Sequence, residues 1–174
     1  KPFDFELDGV SSIVLDGHKM GMSTIPSSVF LLRREEDLRS IAVESPYLTS
    51  LHSTSLLGTR SSAGVASLYF TLRTLGREGY REIVKKCMEN TLYLASEVKR
   101  IGLGVPIEPV MNICGILVDG PAKVREELDG KNWKVSMSRH PDCLRVVVMS
   151  HVTRQVVDSF VRDLEDVTRG KVEP

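Results

Sequence analysis

The stretch IVLDGHKMGMST, from Ile13 to Thr24, holds the residues with the most chemistry in reach. Apolar residues run up to Asp16-Gly17, then come His18 and Lys19, then Met20-Gly21 and a small polar run. A strand that breaks at a glycine presents the next side chains at its end, where a pocket can form. A lysine held there against apolar walls loses solvation, which favours its neutral amine. A neutral amine attacks carbonyl carbon, so the chemistry on offer at Lys19 is a Schiff base with an aldehyde. Lys85, Lys86, Lys99, Lys123, Lys131 and Lys134 lie in or beside charged segments that read as helix or turn, and Lys1 and Lys171 lie near the ends. The plain alternative is an exposed loop lysine after a strand, and for an arbitrary His-Lys pair that alternative is the commoner one.

The elements around this stretch must position it. Residues 10–15, with β-branched Val10, Ile13 and Val14, read as a short buried strand. Ile25-Pro26 and Ser27-Ser28 make a turn, and Val29 to Leu32 reads as the next strand, which gives a hairpin with the lysine loop at its tip. Residues 35–41 read as a short helix and residues 40–57 as loop. The run GTRSSAG, from Gly58 to Gly64, opens a helix that Ser61 or Ser62 can cap, with Val65, Leu68, Tyr69, Leu72 and Leu75 at helical spacing. Its small residues permit close backbone approach, and a helix start with Thr59 and an arginine can seat an anion. An ordinary capped helix with a tight packing face explains the same residues.

Gly76 to Gly79 interrupt this helix, and a second spans residues 80–101 with an apolar stripe through Ile83, Cys87, Thr91, Leu94, Val98 and Ile101. Gly102 suits its C-terminal cap. Beyond it, residues 105–110 carry two prolines and read as an edge segment, and residues 111–118 as a buried strand. Residues 121–129 form a helix with Gly130 after it, 133–138 and 143–149 form strands, and Thr153 caps a last helix. This β-β-α-β-β-α order implies a small α+β sandwich, with helices on one side of a mostly antiparallel sheet. Arg145 interrupts the apolar run LRVVVM. If buried it requires an anionic partner, and a guanidinium fork suits a carboxylate; if outward-facing it needs none. Alternation along the strand allows both.

Composition sets bounds. The chain has 174 residues, and 23 basic residues balance 23 acidic ones. No basic run argues for a nucleic-acid face, and no apolar run approaches the ~20 residues of a membrane span. Cys87, Cys114 and Cys143 show neither zinc spacing nor a disulfide framework, so they read as reduced core cysteines of a cytoplasmic protein, with no metal site.

Three pieces occur in one order: a strand running into DGHKMG, GTRSSAG opening a helix, and LRVVVMSHVT closing a small domain. With REGYREIVKKCMENTLYLASEV and IEPVMNI between them, the chain resembles the group II pyridoxal-phosphate-dependent amino-acid decarboxylases, most narrowly their archaeal tyrosine/aspartate branch. The resemblance covers essentially the whole chain. It implies an α/β chain with the aspartate-aminotransferase-like fold, known as fold type I. Residues 1–76 would be the end of the large cofactor-binding domain, 77–102 a linking helix and 103–174 a complete small α+β domain.

The resemblance also implies roles. Lys19 matches the lysine that anchors pyridoxal 5'-phosphate, and His18 the histidine beside it that can contact phosphate or the reacting carboxylate. Thr59 matches a position that reaches a cofactor phosphate, in related enzymes across a homodimer interface. Arg145 matches the small-domain arginine that grips the substrate carboxylate across this fold. Tyrosine giving tyramine, or aspartate giving β-alanine, are the implied reactions. In the family an aspartate that pairs with the pyridine nitrogen lies upstream of the lysine. Only eighteen residues precede Lys19 here, and Asp4 and Asp8 stand in the wrong context, so the chain is expected to be a fragment that is inactive alone. The alternatives are another lyase of this fold (an aldehyde lyase, a desulfurase or a tRNA-dependent cysteine synthase) and a non-catalytic module that supplies dimer contacts.

Overall fold

The computed structural model describes residues 2–47, 49, 52–55 and 58–170. It divides into two compact units, Lys1–Arg77 and Glu78–Pro174.

The first unit is built on a hairpin. Strand β1 (Ser12–Asp16) pairs antiparallel with β2 (Ser28–Leu32), from Ser12 opposite Leu32 to Asp16 opposite Ser28. The Arg33 guanidinium donates to the carbonyls of Val10, Leu7 and Phe5 and ties the preceding segment to the hairpin. A 3-10 helix (Glu35–Ile41) follows, then a two-residue ladder of β3 (Val43–Glu44) with β4 (His52–Ser53). The loop expected over 40–57 therefore contains this ladder, and part of it falls outside the described residues. Helix α1 (Ala63–Arg100) starts where Ser61 Oγ accepts from the Ala63 N–H, 3.2 Å away. Gly76 (φ 57°, ψ −171°) breaks it, as the glycines of the sequence implied.

The expected burial of β1 is not found. Val14 is 68% exposed and Leu15 51% exposed. A two-stranded ribbon has no third strand or covering layer to bury its apolar residues against. Among the described apolar residues of this unit only Leu68 is buried.

The second unit holds the core. From Glu78 to Arg100, α1 lays Cys87, Thr91, Leu94 and Val98 inward, and Thr91 satisfies its buried hydroxyl on the Cys87 carbonyl at 2.7 Å. The helix closes with the Gly102 N–H on the Lys99 carbonyl and the Leu103 N–H on the Val98 carbonyl, the paired bonds of a glycine C-cap. Strand β5 (Ile113–Ile116), helix α2 (Pro121–Gly130), strands β6 (Ser136–Arg139) and β7 (Asp142–Val147) and helix α3 (Arg154–Arg169) follow. The sheet is antiparallel in the order β5-β7-β6. Ile116, Val124, Leu128, Leu144, Val148, Phe160, Val161 and Leu164 form one cluster between the sheet and the helices. Thr153 caps α3 by accepting from the Val156 N–H. Trp133 donates its indole N–H to Asp163 at 2.7 Å and packs edge-on against Phe160.

Two expectations are corrected. Residues 105–110 form no strand; a single bridge between Gly104 and Leu117 replaces it, so the order is β-α-β-β-α. Prolines 106 and 109 lack the N–H groups a ladder needs. Helix α2 includes Gly130, and the left-handed cap position falls on Asn132 (φ 67°), whose N–H meets the Asp129 carbonyl while the Trp133 N–H meets that of Leu128.

Candidate functional site

The hairpin loop from Gly17 to Ser27 is bound to itself and to α1. The Ser23 N–H donates to the Gly17 carbonyl at 3.0 Å, and the Met22 N–H to that of Lys19. Ser23 Oγ donates to the Gly64 carbonyl, and the Thr24 N–H to Ser67 Oγ at 3.1 Å. The approach is close: a Cβ on Gly64 would stand 2.3 Å from the Pro26 carbonyl oxygen. Gly64, the last residue of GTRSSAG, and Ser67 in the next turn thus receive the loop that carries His18 and Lys19.

His18 is half-buried, and Ser27 fixes its ring. Nδ1 lies 2.8 Å from the Ser27 carbonyl oxygen and 3.3 Å from the Ser27 nitrogen. The Ser27 main chain thus meets Nδ1 from both its carbonyl oxygen and its N–H, and Nδ1 is the ring nitrogen engaged within the loop. Lys19 sits at the end of β1, with Nζ 2.6 Å from an Asp16 carboxylate oxygen. The other Asp16 oxygen accepts from the Ser28 hydroxyl, also at 2.6 Å. These two donors hold the Asp16 carboxyl below the usual carboxylate range.

The expectation of a lysine shielded by apolar walls is not met. The Lys19 side chain is 69% exposed. Its position after a strand break is as expected; what is missing is the wall, because the ribbon beside it has no covering layer.

Thr59 is exposed in the bend ahead of α1, and no hydrogen bond among the described residues joins it to His18 or Lys19. Arg145 belongs to the second unit. It lies at the centre of β7, opposite Gly115 of β5 and Ser136 of β6, and it is half-buried. Its strand is the middle one of the sheet, so Arg145 does not stand on an edge.

Two residues escaped the sequence reading. Asp16, three before Lys19, was legible as an ion-pair partner by its spacing. Ser27 was not: its buried hydroxyl has no hydrogen-bond partner, and it would lie 3.0 Å from a Cβ on Gly17. Among the described residues no cluster of His, Cys, Asp and Glu could hold a metal ion, and no helix is long and apolar enough to cross a membrane.

Residues 1–111 match the pyridoxal-dependent decarboxylase conserved domain. The chain belongs to the pyridoxal-dependent decarboxylase family. Relatives within reach of the family are close in sequence. A probable L-aspartate decarboxylase of Archaeoglobus fulgidus is 47% identical over 168 residues, which cover 97% of this chain and 46% of the relative. A probable L-tyrosine/L-aspartate decarboxylase of Methanocella arvoryzae is 50% identical over 165 residues, 95% of this chain and 44% of the relative. The chain thus spans less than half the length of these decarboxylase-family relatives. Among solved structures, a sphingosine-1-phosphate lyase of Burkholderia pseudomallei superposes with a TM-score of 0.84 at 28% identity over 96% of this chain and 39% of the other. A Lactobacillus brevis glutamate decarboxylase superposes with a TM-score of 0.80 at 20% identity over 98% and 43%. The fold is that of part of a fold type I pyridoxal-phosphate enzyme.

The residues present fit the anchoring end of that cofactor. A solvent-accessible amine, a half-buried imidazole and an unpartnered buried hydroxyl stand on one hairpin loop.

Proposed function

We propose that the protein containing this chain removes the α-carboxylate of an L-amino acid, with Lys19 as the covalent anchor of pyridoxal 5'-phosphate. The match of residues 1–111 to the decarboxylase domain carries this reading, because Lys19 lies in that span at the tip of a hairpin. The names of the relatives support tyrosine and aspartate as substrates.

When bound, the cofactor acts as an electron sink for the pair left on Cα as carbon dioxide departs. The chain's own residues bind and orient. Lys19 Nζ supplies the amine, and Asp16 holds it at the end of β1. His18 offers its ring to a phosphate or carboxylate oxygen, while the Ser27 main chain at Nδ1 keeps the ring from turning. Thr59 offers its hydroxyl to a phosphate across a homodimer interface, and Arg145 offers its guanidinium to the substrate carboxylate. The division into residues 1–76, a linking helix 77–102 and a small domain 103–174 belongs to this proposal, as does a cytoplasmic, homodimeric enzyme.

Borohydride reduction of the loaded full-length protein, followed by peptide mapping, tests the anchor. Label on Lys19 is the expected result; label on any other lysine ends the assignment. A second reading, an aldehyde lyase of the same fold, has the 28% identity to the sphingosine-1-phosphate lyase in its favour. Carbon dioxide release from an amino acid supports the first reading, and aldehyde release from a phosphorylated amino alcohol the second. The 174-residue chain by itself is proposed to be non-catalytic. It is expected to give no stable visible band with added pyridoxal phosphate.

A further inference from the structure

Arg145 is held by a hydroxyl, not by a charge. Along β7 Leu144 and Val146 face the helices, with Leu144 fully buried, while Cys143 and Arg145 face the other side of the sheet. On that side the segment from Pro106 to Met111 borders a cavity of about 270 Å³ that Ile113, Cys143 and Arg145 also line. No ion pair to Arg145 is formed by any described carboxylate. Glu108, which also borders the cavity, is paired with Lys99 instead.

Among the described residues its one side-chain partner is Ser136, directly across on β6. Arg145 Nη1 donates to Ser136 Oγ at 3.3 Å. The same Oγ donates its own hydrogen to the Arg145 main-chain carbonyl at 3.0 Å. With its hydrogen committed there, the hydroxyl can show the guanidinium only a lone pair. The strand on the other side cannot substitute. Gly115 has no side chain, and a Cβ there would already stand 3.2 Å from Cys143 Sγ and 3.4 Å from Pro106 Cγ.

We propose that Ser136 is a positioning residue: it pins the Arg145 guanidinium in one orientation and leaves its remaining N–H groups for a carboxylate entering the cavity bordered by Pro106–Met111. A neutral acceptor suits this task. It orients the guanidinium without neutralising it, whereas a carboxylate at position 136 would compete with the ligand for the same fork. This rests on the reading that Arg145 grips the substrate carboxylate.

The test uses the full-length enzyme and two variants of matched shape, Ser136→Thr and Ser136→Val, with Arg145→Gln as the reference. Loss of a hydrogen bond to a charged group corresponds to roughly a tenfold weakening. Ser136→Val is therefore expected to raise KM for the amino acid about tenfold with kcat little changed, and Ser136→Thr to restore it. Inhibition by tyramine, the product amine that has no carboxylate, is expected to be the same in both. Equal KM values for the Thr and Val variants, alongside a raised KM in Arg145→Gln, would overturn the role of Ser136 and leave Arg145 standing. An unchanged KM in Arg145→Gln would remove both. A loss of product-amine inhibition in Ser136→Val would mark a general disturbance of the site and also overturn the proposal.

Discussion

The Lys19 ammonium and the Asp16 carboxylate meet at 2.6 Å across one turn at the end of β1. Asp16 is therefore the residue that sets where the proposed anchor rests before any aldehyde reaches it. Because its carboxyl is held below the ordinary range, its contribution to stability is present above the unfolded value and is lost as pH falls through the depressed folded value. Carbon-detected NMR titration is expected to show the Asp16 midpoint below that of a free aspartate, and Lys19→Gln is expected to move it upward. A midpoint indifferent to Lys19→Gln contradicts the pairing.

Gly64 is the floor on which the lysine loop rests. Alanine favours a helix over glycine by about 0.5–1 kcal/mol, yet here the added methyl would meet a main-chain oxygen at 2.3 Å. Overpacking of this kind costs about 1–3 kcal/mol, so Gly64→Ala is expected to be net destabilising despite the better helix former. Equilibrium urea unfolding measures it, and a gain in stability would show that the loop does not sit on α1 as described.

The uneven distribution of buried apolar residues predicts a contrast. Leu164 is fully buried in the second unit, whereas Tyr69 in the first is 58% exposed. Leu164→Ala is expected to destabilise the chain by about 2–5 kcal/mol. Tyr69→Ala is expected to change the stability of the 174-residue chain by no more than about 0.5 kcal/mol. Denaturant midpoints of the two variants decide this.

Cys114 is sealed in the core, and burial, with Glu108 adding to it, pushes its thiol from 9.0 up to about 11. The folded state thus prefers the protonated thiol. That preference is fully present below 9.0 and fades as pH rises toward about 11. Reaction with a thiol reagent at mildly alkaline pH is expected to occur only at the rate of unfolding. Fast labelling in the folded protein would contradict it.

The second unit was the more legible of the two. Thr153 before VVDSFVRDL, and Gly102 after a long apolar stripe, named a helix start and a helix end that the hydrogen bonds bear out. These signals are local, so a short window of residues carries them. The errors arose where tertiary context decides. Val14 and Leu15 have the composition of buried residues, but composition does not say whether a covering layer is supplied by the same chain. Asn132 took a cap position that Gly130 was expected to serve, because Asn also tolerates the left-handed region. At the candidate site, DGHK marked the lysine, whereas Ser27 was invisible: its importance comes from a carbonyl and a hydroxyl that only the closed loop brings beside His18 and Gly17.

Gly76 gives the long helix one further property. A break in the ladder of i to i−4 bonds is also a barrier to cooperativity, since fraying advances from turn to turn and stops where the ladder is cut. Opening that starts near Ala63 is expected to end at Gly76, short of the segment whose Leu94 and Val98 are buried in the second unit's core. Amides before Gly76 are thus expected to exchange with solvent sooner than those of the segment that belongs to the second unit's core.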